Sequence, residues 1–474
     1  MRLFNTLSRK IEVFQPIKPP QVGLYACGFT VYDYTHLGHL RKYSLDDVLV
    51  RVLRHAGYQV KFVQNVTDVG HLTSDQDTGE DKMEKGAKKY GQSVWDVAKK
   101  FEDYFFYSMD LMGNLRPDIS CRATEHIQEQ LQMVIKLEQQ GYAYVIKDDG
   151  VYFDTSKNDD YGQLARLDIE HLQEGARVEV VKGKLHPTDF ALWKFERPGE
   201  NRAMVWPSPW AKRSFPGWHI ECSAMSIKYL GEQFDVHTGG IDHIPVHHTN
   251  EIAQTEAMTG KKPFVKYWVH HNHLRVANQK MSKSLGNFFT IDDVITKGFS
   301  PMALRLLFLT THYRSEMNFT WESLEGSQKA YAKLVRAAAQ WRAVKQAKQS
   351  LSPTALQLQR VFFDFLEDDL KTPEAMAIMW QVMGESQLTG PEKLQLVKEF
   401  AQVLGLDLSA DQIPESTQPL SQSQLPTQVK ELLKQRQQAR QEQDWTKADG
   451  LRNEISHLGY QIIDEADSQK IILK

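Results

Sequence analysis

Two short segments, far apart in the chain, carry side chains suited to phosphate chemistry. Thr35 to His39 reads T-H-L-G-H, and Lys280 to Ser284 reads K-M-S-K-S. The first segment places two imidazoles and backbone N–H groups at the start of a predicted amphipathic helix, which favours anion binding. The second offers two lysines on a loop, and mobile positive charge can stabilise a departing pyrophosphate. Because no G-x-x-x-x-G-K-[ST] segment occurs, we predict nucleotide chemistry of another kind than that of P-loop enzymes.

Four further residues are of metal-ligand type: Cys27, Cys222, His247 and Glu251. His247 and Glu251 are spaced i, i+4, so on a helix they lie on the same face. Two thiolates, one imidazole and one carboxylate would make a plausible zinc set. However, no C-x-x-C pair is present. The spacing alone therefore also allows two buried apolar cysteines and a surface His/Glu pair.

The elements that position these residues are predicted from hydrophobic periodicity. Val22 to Ala26 and Val60 to Val66 are typical of buried strands. Between them, apolar residues from Leu45 to Leu53 recur at helical spacing. A strand–helix–strand unit of this length predicts a right-handed crossover and a parallel sheet. Ligands of such sheets bind beyond the carboxyl ends of the strands, where Cys27 and Thr67 would lie.

Bulk composition indicates a cytoplasmic enzyme. The chain has 474 residues, a net charge of −3, 41% apolar and 25% charged residues, which suits several globular domains. No stretch approaches the roughly 18 apolar residues of a membrane span, and no signal-peptide pattern opens the chain. Three cysteines cannot build a disulfide framework. The near-neutral charge restricts any RNA contact to local patches.

Changes of pattern predict the domain organisation. The strand–helix alternation is interrupted by a region of turns and short strands, predicted at 151–153 and 177–181. It resumes afterwards, and the chain then becomes almost wholly helical. We predict a catalytic domain at 1–124 and 217–300, a connective insertion at 125–216, a segment at 301–328 that follows the lysine segment, a helical bundle at 329–407, a linker at 408–427 and a small C-terminal unit at 428–474.

The two signature segments, in this order on an α/β background, resemble those of class I aminoacyl-tRNA synthetases. Cys27 to Asp33, Pro216 to Met225 and His247 to Gln254 are similar to motifs of the cysteinyl-tRNA synthetase family. The resemblance implies an α/β fold: a Rossmann-like parallel-sheet catalytic domain with an α+β insertion, then an α-helical bundle and a C-terminal anticodon-binding unit. It also implies activation of L-cysteine by ATP with Mg²⁺, transfer to tRNA(Cys), and a monomeric chain.

The same resemblance assigns roles to individual residues. It implies one zinc ion in the amino-acid pocket, where it would accept the substrate thiolate, with Cys27, Cys222, His247 and Glu251 as ligands. It implies catalytic roles for His36, His39, Lys280 and Lys283, of which both histidines and Lys283 would also bind ATP. The adenosine would meet Gly239, Gly240 and Asp242, and the cysteine would meet Gly28, Thr67, Trp218 and His237.

Three features depart from the family pattern or leave alternatives open. Leu37 replaces the usual isoleucine between the two signature histidines, a volume-conserving change. Gly70 to Glu80 adds a polar segment that we predict to be a surface loop. His248 adjoins the implied ligand His247 and could bind in its place.

The residues also leave two other functions and the RNA contacts open. A ligase that joins cysteine to an amino sugar, as in mycothiol synthesis, would share the catalytic half but lack the C-terminal unit. A non-catalytic RNA-binding relative would be expected to have eroded motifs. For RNA, the region 329–348 contains six basic and no acidic residues, and Trp445 could stack on a base, although both features also occur in ordinary helices.

Overall fold

The computed structural model describes residues 1–71, 81–167, 181–282, 285–343, 350–410, 425–442, 444–458, 460–464 and 469–473. Among these residues, no helix has the length and apolar character that crossing a membrane requires. The first third of the chain alternates strands and helices in this order: β1 (Arg2–Asn5), β2 (Lys10–Val13), β3 (Gln21–Ala26), α1 (Leu37–His55), β4 (Gln59–Val66), α2 (Lys82–Tyr90), α3 (Val94–Leu111) and β5 (Ile119–Arg122).

Both strands predicted in this region are confirmed, as β3 and β4. The apolar stripe of α1 from Leu45 to Leu53 is buried as predicted. The predicted surface loop is wrong at its start, since Gly70 and His71 are buried. Arg202 explains this burial, because it donates to the Gly70 carbonyl at 2.7 Å and pairs with Asp81. Residues 72–80 of the predicted loop lie outside the described residues.

The following region contains an antiparallel sheet packed beside a helix. Its elements are α4 (Ile127–Gln139), β6 (Ala143–Ile146), β7 (Gly150–Phe153), β8 (Phe190–Phe195) and β9 (Ser214–Pro216), and the four strands pair in sequence order. The predicted strand at 151–153 is confirmed within β7. Residues 177–180 of the other predicted strand, 177–181, lie outside the described residues.

The next four elements complete the central sheet: α5 (Trp218–Leu230), β10 (Phe234–Gly240), α6 (Thr249–Thr259) and β11 (Val265–His271). The sheet has the order β11-β10-β3-β4-β5, and every pairing is parallel. All five carboxyl ends therefore meet at one edge, which confirms the predicted parallel sheet and places the polar residues after each strand near one another.

The remaining elements are mainly helical. In chain order they are β12 (Leu274–Val276), β13 (Gln279–Lys280), α7 (Ile291–Thr296), α8 (Pro301–Leu309), β14 (Met317–Phe319), α9 (Trp321–Ala343), α10 (Pro353–Glu367), α11 (Thr372–Gly384), α12 (Gly390–Leu404), α13 (Thr427–Gln441), α14 (Trp445–His457), β15 (Tyr460–Asp464) and β16 (Gln469–Leu473). Residues 411–424 of the predicted linker, and 344–349 at the end of the predicted basic region, lie outside the described residues.

A buried arginine fastens the helical region to α1. Arg305, in α8, pairs with Asp47 of α1 at 2.5 Å and donates to the Leu404 carbonyl at the end of α12. It also donates to the Met112 carbonyl that follows α3. Because a buried guanidinium requires such partners, the interaction fixes the place of α8 and α12 against α1 and the end of α3.

The start of α12 offers a test of bundle stability. Glu392 forms a capping box with Thr389 and accepts the Ser352 N–H at 2.8 Å. These hydrogen bonds lower the pKa of Glu392 from 4.5 to about 2. We expect Glu392→Gln to lower the free energy of unfolding by about 1–2 kcal/mol at pH 7. Because the folded-state pKa is depressed, this stabilisation is present above pH 4.5 and is lost as the pH falls toward 2.

Thermal unfolding at a series of pH values measures this effect. The difference in melting temperature between wild type and Glu392→Gln should be largest near neutrality and should shrink in acid. Glu374→Gln is the matched control, because Glu374 also lies in the first turn of a helix but is exposed. An equal effect of both substitutions would contradict the role of the capping box.

Candidate active site and metal centre

The carboxyl ends of three central strands bring predicted site residues together. Cys27 directly follows β3, Thr67 directly follows β4, and β10 ends with Gly239 and Gly240. Gly28 lies so close to β4 that a Cβ atom would be 1.6 Å from the Asn65 carbonyl oxygen, and its N–H donates to the Asn65 side chain at 2.7 Å. Only glycine therefore allows the two strand ends to approach this closely.

The two signature histidines, His36 and His39, form a capping box at the start of α1. The Nδ1 atom of His36 accepts the Gly38 N–H at 3.1 Å, and the Nδ1 atom of His39 accepts the His36 N–H at 3.3 Å. The rings stack with centroids 3.5 Å apart. Burial, and then the neighbouring His36, hold the pKa of His39 well below its usual value. In their neutral forms, both rings must therefore carry hydrogen at Nε2, so each presents one N–H donor.

The chain that follows the lysine segment contacts the start of the same helix. Lys280 ends β13 and is exposed, and its carbonyl accepts from Asn287, whose side-chain oxygen accepts the Ser282 N–H at 2.7 Å. Just downstream, the Leu37 N–H donates to the Phe289 carbonyl at 3.0 Å. The chain just downstream of the lysine segment thus contacts the first signature segment, and Lys283 and Ser284 lie outside the described residues.

The four predicted metal ligands lie together in a buried cluster. One donor atom from each of Cys27, Cys222, His247 and Glu251 lies within 4.8 Å of the others. The two Sγ atoms are 3.9 Å apart, and His247 Nε2 is 2.9 Å from Glu251 Oε1. A tetrahedral zinc ion with bonds of about 2.3 Å separates two sulfur ligands by about 3.8 Å. The sulfur spacing therefore fits zinc, and the His–Glu pair needs to open only slightly.

A second donor set overlaps the first. Cys27, His237, His248 and Glu251 also place one donor atom each within 4.8 Å of one another. His248 Nε2 lies 3.3 Å from Cys27 Sγ, while its Nδ1 lies 2.8 Å from His270 Nε2. His237 Nε2 lies 3.0 Å from Glu251 Oε2. We favour the first set because zinc prefers thiolate ligands and only that set contains Cys222.

The four residues of the cluster differ in ionisation. Burial would raise the pKa of Cys27, but Cys222 and three histidines lower it well below its usual value. The hydrogen bond with Cys27, together with burial, raises the pKa of Cys222. Burial would lower the pKa of His247, but Glu251 and Cys27 raise it to about 10. A divalent cation must therefore displace protons from Cys222 and His247 when it binds.

Two of the residues expected to form the cysteine pocket contact this cluster. The Trp218 ring stacks on His247 with centroids 4.5 Å apart. His237 is fully buried against Trp268, and Thr67 accepts a hydrogen bond from Asn65 at 3.0 Å. Trp218 and His237 therefore contact members of the cluster, whereas Thr67 lies at the end of the neighbouring strand β4.

The residues expected to meet adenosine lie at the end of β10. A Cβ atom on Gly239 would be 2.5 Å from His248, whereas one on Gly240 would meet nothing within 4 Å. Gly239 is thus required by packing, and Gly240 leaves its backbone open to a ligand. Asp242 is three-quarters exposed and lies 3.4 Å from His273.

Several buried residues of the site were missed by sequence reasoning. His219 Nδ1 lies 3.0 Å from His247 Nδ1, so it can fix which nitrogen of His247 remains available to a metal. His71 Nε2 lies 2.8 Å from the fully buried Glu221 carboxylate. For His219 and Glu221, the only signal in the sequence is that both stand close to Cys222 in the chain.

Comparisons with known proteins agree with this architecture. The family model described as tRNA synthetases class I (C) catalytic domain matches residues 13–329, and the one described as cysteinyl-tRNA ligase anticodon binding domain matches residues 422–471. The chain is 45% identical to cysteine–tRNA ligase 1 of Burkholderia lata, covering 99% of this chain and 96% of that protein. It is 41% identical to cysteine–tRNA ligase of Thermus thermophilus, covering 99% and 98%.

A solved structure shows the same fold at low sequence identity. Mycobacterium tuberculosis methionyl-tRNA synthetase in complex with methionyl-adenylate superposes with a TM-score of 0.59 at 14% identity, covering 81% of this chain and 90% of that chain. At this identity the likeness concerns the fold alone. It agrees with the parallel sheet and the following helices described above.

Proposed function

The chain belongs to the cysteine–tRNA ligase family of class I tRNA synthetases, and on that premise we propose how its residues activate L-cysteine with ATP and transfer it to tRNA(Cys). The observation that carries the proposal is the buried Cys27–Cys222–His247–Glu251 cluster at the strand ends. Phe29, two residues after Cys27, contacts the His39 ring with centroids 4.6 Å apart. Selection of sulfur and chemistry on ATP therefore occupy adjoining walls of one site.

Amino-acid selection is proposed to depend on zinc held by Cys27, Cys222, His247 and Glu251. A bound zinc ion would accept the thiolate of the substrate, which the harder hydroxyl of serine imitates poorly. An apolar pocket discriminates near-isosteres by only about 10- to 200-fold, so a metal–sulfur preference can make editing unnecessary. Trp218, His237, Thr67 and Gly28 enclose the rest of the amino acid.

The first chemical step is attack of the cysteine carboxylate on the α-phosphorus of ATP, with departure of pyrophosphate. The Nε2–H groups of His36 and His39 are proposed to donate to the nucleotide phosphates. Lys280 and Lys283 bring positive charge to the departing pyrophosphate, and Mg²⁺ accompanies ATP. Gly239, Gly240 and Asp242 hold the adenosine. A ribose hydroxyl at the tRNA terminus then attacks the cysteinyl carbonyl and releases AMP.

The tRNA is proposed to extend from this site along the helical half to the C-terminal unit. Trp445, at the start of α14, is 58% exposed and suits stacking on an anticodon base. Part of the basic face of α9 is engaged with groups of the protein itself. Lys329 pairs with Glu325 at 2.8 Å, and Arg342 donates to the Ala410 carbonyl. A single chain contains all proposed sites, so we propose a monomer.

The cysteine–amino-sugar ligase is the alternative function. It would use the same activation step but has no need of an anticodon-binding unit. The family match at residues 422–471 weighs against it, because that region would then be without a role.

Two assays test the proposal on the purified full-length protein. We expect cysteine-dependent exchange of labelled pyrophosphate into ATP, followed by cysteinylation of tRNA(Cys). No exchange with cysteine would refute the activation step. Exchange without charging of tRNA, together with transfer of cysteine to an amino sugar, would favour the alternative ligase.

A further inference from the structure

A half-buried lysine on the signature helix contacts the backbone of a proposed metal ligand. Lys42 is in α1, three residues after His39. Its ammonium donates to the Cys27 carbonyl at 2.8 Å and pairs with Asp46 at 2.8 Å. The side chain of Lys42 is 12% exposed and that of Asp46 is 1% exposed. An ammonium with so little exposure to solvent requires such partners, and they determine its position.

Asp46 connects this pair to a third strand. His271, the last residue of β11, places its Nε2 atom 2.8 Å from Asp46 Oδ1. Burial lowers the pKa of His271, so the ring is neutral and donates one N–H. Although burial alone would raise it, Lys42 and His271 lower the pKa of Asp46. Lys42, Asp46 and His271 therefore form a buried triad with no net charge.

The triad acts on the backbone of a proposed metal ligand. Cys27 lies just beyond β3, where its N–H still donates to the Thr238 carbonyl at 3.1 Å. Its own carbonyl accepts from Lys42 and, at 3.3 Å, from the Tyr43 hydroxyl. With both polar groups of this residue held, the direction of its Cα–Cβ bond is fixed. The Sγ atom therefore has little freedom beyond rotation about that bond.

We propose that Lys42 is a positioning residue for cysteine selection, which holds the thiolate donor of Cys27 in place through the Cys27 carbonyl. Asp46 and His271 keep the ammonium in position and connect β11 to the helix that carries His36 and His39. This inference rests on the proposed function, because it concerns the proposed metal centre. In this proposal, Lys42 contacts neither ATP nor the reacting atoms.

The test compares Lys42→Met with wild type and with a matched control. Lys194→Met is the control, since Lys194 is 3% exposed and pairs with Asp149 at 2.7 Å in the antiparallel sheet. Residues that support metal ligands commonly change affinity by about 10- to 100-fold. We therefore expect Lys42→Met to raise the KM for cysteine at least about tenfold in pyrophosphate exchange and to speed zinc loss to a chelator similarly. The KM for ATP should stay within about twofold of wild type.

Two further variants keep the outcome interpretable. Lys42→Arg retains a cationic donor and should keep most of the zinc retention of the wild type. Lys42→Gln should behave as Lys42→Met does. It replaces Lys42→Met in the test if the Lys42→Met protein does not fold. Wild-type zinc retention and cysteine KM in Lys42→Met or Lys42→Gln would overturn the inference. So would equal changes in the Lys194→Met control. A wild-type protein that holds no zinc would instead refute the proposed metal centre.

Discussion

Replacement of Cys222 by serine is expected to remove most of the zinc from the purified protein and to raise the KM for cysteine by about 100-fold. Cys222 Sγ is buried and lies 3.9 Å from Cys27 Sγ. A serine hydroxyl is harder and far less acidic than a thiol, so it does not replace a thiolate ligand. Metal analysis and pyrophosphate exchange at varied cysteine concentration measure the two effects separately, and the KM for ATP should change little.

The third cysteine provides the control for this substitution. Cys121 is also buried, but its Sγ atom contacts the Gln64 carbonyl at 3.7 Å rather than the cluster. Burial raises the pKa of Cys121 to about 12, so it remains a thiol. Cys121→Ser should therefore keep its zinc. Full zinc content in Cys222→Ser would refute the ligand set with Cys222 and would favour the overlapping set that contains His237 and His248.

The second large effect is expected for His36→Asn, which should lower kcat of pyrophosphate exchange by about 10²- to 10³-fold. His36 has two functions at the start of α1. Its Nδ1 atom caps the helix by accepting the Gly38 N–H, and the N–H at its Nε2 is proposed to donate to ATP. Asparagine is a good helix N-cap but cannot present the second donor at the same place.

Comparison with His36→Ala separates the two functions. The alanine variant loses the cap as well, so its melting temperature should fall, whereas His36→Asn should retain the wild-type melting temperature. Normal kcat in a stable His36→Asn protein would show that His36 only caps the helix. The KM for cysteine should remain near wild type in His36→Asn, which distinguishes it from the Cys222 variant.

Local pattern was sufficient for much of the fold. The strands β3 and β4, the buried stripe of α1 and the i, i+4 placement of His247 and Glu251 depend on residues near one another in sequence. The strands appear in the chain as short apolar runs, and the helical features appear as a spacing of 3.6 residues. The parallel sheet followed because strand–helix–strand units have one dominant handedness.

The sequence by itself thus determined which residue types are available for activation chemistry and on which elements they lie. Only the tertiary structure decided which of the many histidines surround the two thiols, that His71 is buried on Glu221, and that Lys42 reaches the Cys27 carbonyl. These contacts join residues from different strands and helices. The physical reason is that such contacts depend on how strand ends and helix starts meet at one edge of the sheet, which no local periodicity encodes.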